Sequence, residues 1–81
     1  MNDEPPLPTV YADFNYHFGD SLGLSCNGTK ADLARLGLVL SDRLRLRVSD
    51  GDLAAEGRVR WVAKRQEWVI DLDQTTYQEL R

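Results

Sequence analysis

The chain holds one histidine, His17, and one cysteine, Cys26, nine positions apart. A Cys–His nucleophile pair needs the two side chains within hydrogen-bond reach. Alternation groups His17 with one set of side chains and Cys26 with the other, so the two are expected on opposite sides of a sheet. Cys26 then reads as a small core residue. One His and one Cys cannot fill a structural zinc site, and no CxxC, HxxxH or HExxH spacing occurs. Asp50-Gly51-Asp52 is too short for a calcium loop and lacks its distal Glu. Gly19-Asp20-Ser21-Leu22-Gly23 lacks the Lys-Ser/Thr ending of a phosphate-binding loop. Asp71 and Asp73 fall beside arginines, which keep them ionised rather than poised as an acid–base pair. No catalytic residue, metal or cofactor is expected, and the chain reads as non-enzymatic.

Two other groups of residues carry recognition chemistry. Arg43, Arg45 and Arg47 alternate along one segment, at roughly 6.8 Å intervals in a strand, and Arg58 and Arg60 follow on the next. Such a row suits phosphates of a nucleic acid. A nucleic-acid reader also wants exposed rings for stacking, whereas Trp61 and Trp68 fall on the inward face. The second group is apolar. Val39, Val62 and Val69 are expected to line up across three strands on the outward face, and the outward set of the first strand, Tyr11 and His17, extends that surface. Either Leu33 and Leu36 of a helix, or Tyr77 and Leu80 at the C-terminus, cover this row, or it marks a partner site. An unpaired edge of the first strand would offer a second route to a partner, by strand addition.

The elements that position these residues follow from periodicity. Residues 1–9, with Pro5, Pro6 and Pro8, read as a disordered tail, and residues 10–81 as a single domain. Val10 to Phe18 alternates as a half-buried strand, and Leu22, Leu24 and Cys26 form a second with Gly23 as its weak point. Asn27-Gly28-Thr29, a glycosylation sequon in form, reads as a turn. Thr29 and Asp32 make an approximate capping box for a helix over 31–36, ended by Gly37. Residues 74–81 read as a frayed helical turn.

Leu38 to Val48 opens a three-strand meander. With Asp50-Gly51 at the centre of a tight turn, Val48 faces Leu53, Leu46 faces Ala55, Leu44 faces Gly57 and Leu40 faces Trp61. Asp42 would then point inward opposite Val59, which requires a bulge or bend. A second turn over Lys64–Glu67 pairs Ala63 with Trp68, Trp61 with Ile70 and Val59 with Leu72. On the outward face these registers oppose Arg45 to Glu56, Arg60 to Asp71 and Arg58 to Asp73.

The bulk properties agree with one small domain. The chain has 81 residues with 42% hydrophobic and 28% charged residues and a net charge of −3. Residues 1–29 carry four acids and no base, residues 30–65 nine bases and five acids, and residues 66–81 four acids and one base. A basic middle between acidic ends either attracts an anionic partner or is neutralised within the fold. The N-terminal MNDEPPLPT has no apolar core of a secretory signal, no apolar run could span a bilayer, and a lone cysteine suits a reducing compartment. These features predict a cytoplasmic protein.

The expected architecture is mainly β: a small curved antiparallel sheet or open barrel of about five strands, with one short helix between the second and third. In size and strand count it resembles SH3-like barrels, a likeness of architecture that implies no activity. Three stretches, Ala31-Asp32-Leu33-Ala34-Arg35-Leu36-Gly37-Leu38, Gly51-Asp52-Leu53 with Glu56-Gly57, and Trp68-Val69 with Ile70-Asp71, resemble a pattern in small uncharacterised bacterial proteins. The likeness spans the last two-thirds of the chain and implies a bacterial or phage-like origin, with no site residue to carry over. The functional expectation is a binding module for a protein partner, such as an inhibitor or regulator of a larger complex. Its sites are Val39, Val62, Val69 and Tyr11, and the same row could close a homodimer. The alternative is a nucleic-acid binder using Arg43, Arg45, Arg47, Arg58 and Arg60.

Overall fold

A computed structural model describes residues 6–80. Within this range β1 (Thr9–Tyr11), β2 (His17–Phe18) and β3 (Ser21–Gly23) precede α1 (Asn27–Leu36), and β4 (Arg45–Ser49), β5 (Leu53–Val62) and β6 (Glu67–Glu79) follow it. The strands form one sheet in the order β1-β4-β5-β6-β3-β2. Neighbours are antiparallel except β1 and β4, which are parallel. The protein is mainly β, with six strands rather than five and a mixed rather than antiparallel sheet. The sheet is not closed, since β1 and β2 are its two ends.

The extra strand arises because the alternating run from Val10 to Phe18 breaks. The Asp13 carboxylate accepts the Asn15 N–H at 2.8 Å and the Asp13 carbonyl accepts the Tyr16 N–H at 3.0 Å. Such an Asx-type turn competes with an extended strand. The turn lets β1 and β2 join opposite ends of the sheet. Of the residues read as a tail, 1–5 lie outside the described range. The Pro8 carbonyl accepts the Arg47 N–H at 3.0 Å, and Thr9 already pairs with Arg47.

The helix starts two residues before Thr29, and its N-cap, Cys26, makes no side-chain cap. Thr29 and Asp32 have another use. Three residues apart, they share a helix face that meets β1. Thr29 Oγ1 donates to the Tyr11 carbonyl at 2.5 Å, and Asp32 Oδ2 accepts the Tyr11 N–H at 2.8 Å. Together they occupy both backbone groups that Tyr11 would offer to an added strand, so the first-strand edge is closed there by the helix. Gly37, at φ +66°, ends the helix in the left-handed conformation, as expected.

Both hairpins of the meander keep the expected faces and lose the expected partners. In β4–β5, Val48 pairs with Ala55 and Leu46 with Gly57. In β5–β6, Trp61 pairs with Trp68, Val59 with Ile70 and Gly57 with Leu72. Each turn centre lies one residue from its expected position, which moves the register by two and preserves parity. At the first turn the Asp50 carboxylate accepts the N–H groups of Asp52 and Leu53 at 2.9 and 2.8 Å. Asp50 thus stays outside the turn centre, and Gly51, at φ +99°, takes its first position. At the second turn Gln66 adopts φ +53° and Val62 closes on Glu67. The irregularity expected at Asp42 is present. Arg43 sits at φ +69°, its N–H bonds the Val59 carbonyl at 2.7 Å, and Asp42 accepts the Trp61 N–H at 2.9 Å. This turn delays the start of β4 to Arg45, so residues 38–44 are not strand.

Directly paired residues share a face, so the inner face reads Val10–Val48–Ala55 across one row and Leu46–Gly57–Leu72 across another. A third row joins Val59, Ile70 and Leu22. With Ala12 and Leu24 these side chains make the buried core, packed further by Phe14, Leu33, Leu38, Leu40 and Leu44. The C-terminal segment is strand, not a helical turn. Between the Glu56–Asp73 and Ala54–Gln78 pairs β6 advances five residues while β5 advances two, which makes a bulge. Thr76 fills it, its Oγ1 accepting the Glu56 N–H at 2.8 Å and donating to the Asp73 carbonyl at 2.6 Å.

Candidate binding site

The valine row does not form. Val39 lies in the loop after the helix, 85% exposed and outside any strand. Val62 and Val69 are diagonal neighbours on the outer face of β5 and β6, but Val69 is 1% exposed. Phe18 and Arg65 line a small cavity with them, and the Arg65 guanidinium lies 3.8 Å from the centre of the Phe18 ring. Next to them Tyr16 lies over Gly23, where an added Cβ would come within 2.1 Å of its ring, and its hydroxyl donates to Glu67 at 2.9 Å. The β2 strand and the turn before it thus cover this face, rather than the helix or the C-terminus. Tyr11 stands at the other end of the sheet, its ring against Gly28. Burial raises its phenol pKa, with Asp13, Cys26 and Asp50 adding to the effect. Cys26 Sγ lies 3.0 Å from Thr29 Oγ1, whereas His17 lines a groove with Phe14, Asp20 and Tyr77.

The arginines do share one face. Arg45, Arg58, Asp71 and Ser21 form a row across β4, β5, β6 and β3. Arg47, Glu56 and Asp73 form the row beside it. Two of the three expected ion pairs exist, reached diagonally. Arg45 meets Glu56 at 3.7 Å, and Arg60 holds Asp71 through Nε at 2.8 Å and Nη2 at 3.0 Å. The third, Arg58 with Asp73, is replaced: Asp73 instead accepts the N–H and hydroxyl of Thr75 at 3.0 and 2.6 Å. The Arg60 guanidinium holds the Asp71 carboxyl below the usual aspartate value, with a further hydrogen bond from Ser21, against the opposing effect of burial. Thr75 does the same for Asp73.

A groove with a mainly apolar lining lies elsewhere, on the inner face near the tip of the β5–β6 hairpin. Leu24, Leu33, Leu40, Trp61 and Trp68 form its apolar part, and Ser25, Lys30, Gln66 and Glu67 line the rest, around about 330 Å³. The two indoles meet edge to face, with centroids 5.1 Å apart and planes at 64°. Trp61 is 41% exposed because β5 outruns its neighbour: β4 pairs only as far as Arg58, and beyond it the Asp42 turn meets the Trp61 N–H. Glu67 is engaged by Tyr16 and lies 4.0 Å from Arg65. Lys30, in the first turn of the helix, has no side-chain partner among the described residues. Alternation places both tryptophans on the inward face, as found, but does not report that Trp61 is open to solvent there. The missed signal was the position of Trp61, two residues from a hairpin turn and beyond the reach of the neighbouring strand.

No family model matches the chain, and no curated protein or solved structure matches it either. Among the described residues no helix is long and apolar enough to cross a membrane, and no group of three or more His, Cys, Asp or Glu is placed to hold a metal ion.

Proposed function

We propose that the chain is a non-enzymatic binding module that docks a segment of a partner protein in the groove at Trp61 and Trp68. The observation that carries this reading is an indole left 41% exposed at the edge of an apolar groove. Large aromatic side chains in this setting are the commonest anchors of protein interfaces. The occupant is a segment with an apolar or aromatic side chain to fill the groove and a carboxylate to meet Lys30. Lys30 is the charge lining the groove that the described residues leave without a partner, while Glu67 is already held by Tyr16. The nucleic-acid alternative has less support, because the indoles and the arginines lie on opposite faces and acids interleave the arginines.

A displayed peptide library selected on the protein tests this, with affinities then read from tryptophan fluorescence. The selected peptides are expected to share an apolar residue near Asp or Glu. Trp61→Ala is expected to weaken their binding at least about tenfold, and Lys30→Glu to select against the acidic residue. Peptides that bind equally well to Trp61→Ala would overturn the proposal.

A further inference from the structure

We propose that the outer-face groove between the Asp42–Arg43 turn and β5 binds a phosphate group of a small ligand, held by Arg43 and Arg58 with Arg60 beside them. This site lies on the other face of the sheet from the tryptophan groove and does not depend on it. Asp42, Arg43, Arg58, Val59, Arg60 and Asp71 line it.

The five outer arginines are not equivalent. Arg45 is matched to Glu56, Arg60 to Asp71, and Arg47 lies half-buried directly opposite Glu56. Arg43, Arg47 and Arg58 have no side-chain partner among the described residues, and of these Arg43 and Arg58 line the groove. Arg58 is unmatched although acids stand close to it. Its cross-strand neighbours are Arg45 and Asp71. Arg45 repels it, since like charges directly opposite destabilise a sheet. Both Asp71 oxygens are taken, by the Arg60 fork and by the Ser21 hydroxyl at 2.5 Å.

Arg43 adds an independent sign. It holds a left-handed φ of +69°, which is unfavourable for a side chain of this kind and favours glycine. Bonds on both sides hold the turn: Arg43 N–H to the Val59 carbonyl, Val59 N–H to the Leu44 carbonyl at 2.8 Å, and Asp42 to the Trp61 N–H. The fold therefore keeps an uncompensated guanidinium at a position where its backbone conformation favours a different residue. Backbone strain of this sort concentrates at ligand sites.

Two arginines without side-chain partners lining one groove suit the oxygens of a phosphate dianion, which arginine binds in bidentate fashion. Asp42 and Asp71 also line the groove, but Asp42 already accepts the Trp61 N–H and Asp71 is held by Arg60, while Glu56 and Asp73 in the next row repel an extended polyanion.

The test is a titration of the isotopically labelled full chain, following the arginine Nε–H resonances. The probes are inorganic phosphate and glycerol phosphate, with chloride at matched ionic strength and an oligothymidylate as controls. Saturable shifts centred on Arg43 and Arg58 are expected with one or both phosphate probes. A response to both indicates recognition of the phosphate alone, and a response to glycerol phosphate only indicates a phosphomonoester. Arg43→Gly, which suits the turn, and Arg58→Lys, which keeps the charge and loses the fork, should each weaken binding about tenfold. Arg47→Ala should leave it within about twofold. Equal shifts of all five arginines that chloride reproduces, or a response to oligothymidylate alone, would overturn the proposal.

Discussion

β5 serves both faces of the sheet, and its two sets of side chains follow different rules. Inward, Ala55, Gly57 and Val59 are buried against residues directly opposite them, and only Trp61, beyond the end of β4, opens to solvent. Outward, Glu56 and Arg60 find charged partners diagonally, and Arg58 between them finds none. The inner face has its energy in contact area, so a side chain there has one acceptable place. The outer face has its energy in long side chains that reach several partners, each interaction worth little. The inner face can therefore depart from its rule only where the sheet runs out, at the tryptophan groove. The outer face can leave an arginine unmatched in mid-strand, at small expense in stability.

The largest effect that contrast predicts is on the inner face. Leu46 is fully buried opposite Gly57, which has no side chain to close a gap. Leu46→Ala should destabilise the fold by about 3 kcal/mol, from lost burial and a residual cavity. Its immediate neighbour on the other face, Arg47→Ala, should stay within about 0.5 kcal/mol. Urea unfolding of the two variants measures the difference; comparable losses would break the contrast between the faces.

A smaller effect, of opposite sign, sharpens it. Arg43 and Gln66 are the non-glycine residues with positive φ among the described residues, at +69° and +53°. A left-handed conformation costs about 1–2 kcal/mol for a residue with a Cβ, offset in part by the greater unfolded-state entropy of glycine. Arg43→Gly and Gln66→Gly should therefore each stabilise the fold by about 0.5–1 kcal/mol in thermal unfolding. The two should part in phosphate binding, which Arg43→Gly weakens and Gln66→Gly, at the hairpin tip, leaves alone.

The same distinction explains what was legible in the sequence. Alternation reports parity, and parity survived: Leu46, Val59, Trp61 and Ile70 all lie on the expected face. Partner identity depends on the turn centre, where the Asp50 carboxylate and the positive φ of Gln66 settled matters that composition leaves open. The Arg45–Glu56 and Arg60–Asp71 pairs were foreseen and exist, yet through diagonals, because long side chains tolerate a two-residue shift. Thr29 and Asp32 were recognisable as a same-face pair. Their partner Tyr11 lies 18 and 21 residues away, so a local capping role was the only one visible. The Gln74–Glu79 segment carries no periodic pattern, since a bulge held by Thr76 interrupts it. Of the candidate site, the residue types were legible and the exposure was not. That Trp61 is open and Val69 closed follows from where β4 stops and where the Tyr16–Phe18 segment lies.

The smallest expected effect concerns the charge balance of the outer face under acid. The Arg60 fork, aided by Ser21, holds the Asp71 carboxyl below its ordinary value. The folded state therefore takes up that proton less readily than the unfolded chain, whose aspartates titrate near about 3.9. A carboxyl of this kind contributes stability that is fully present above the unfolded value and is lost as pH falls through the folded one. Stability, measured by unfolding from neutral pH downward, should thus fall below about pH 4, and Asp71→Asn should remove part of that dependence while lowering stability slightly at neutral pH. Freed from Asp71, Arg60 would join Arg43 and Arg58 as an unmatched guanidinium in the same groove. Asp71→Asn should accordingly bind inorganic phosphate more tightly than the parent chain while being no more stable. A variant that loses both stability and phosphate affinity would mean that Asp71 positions the arginines rather than competing with the ligand for them.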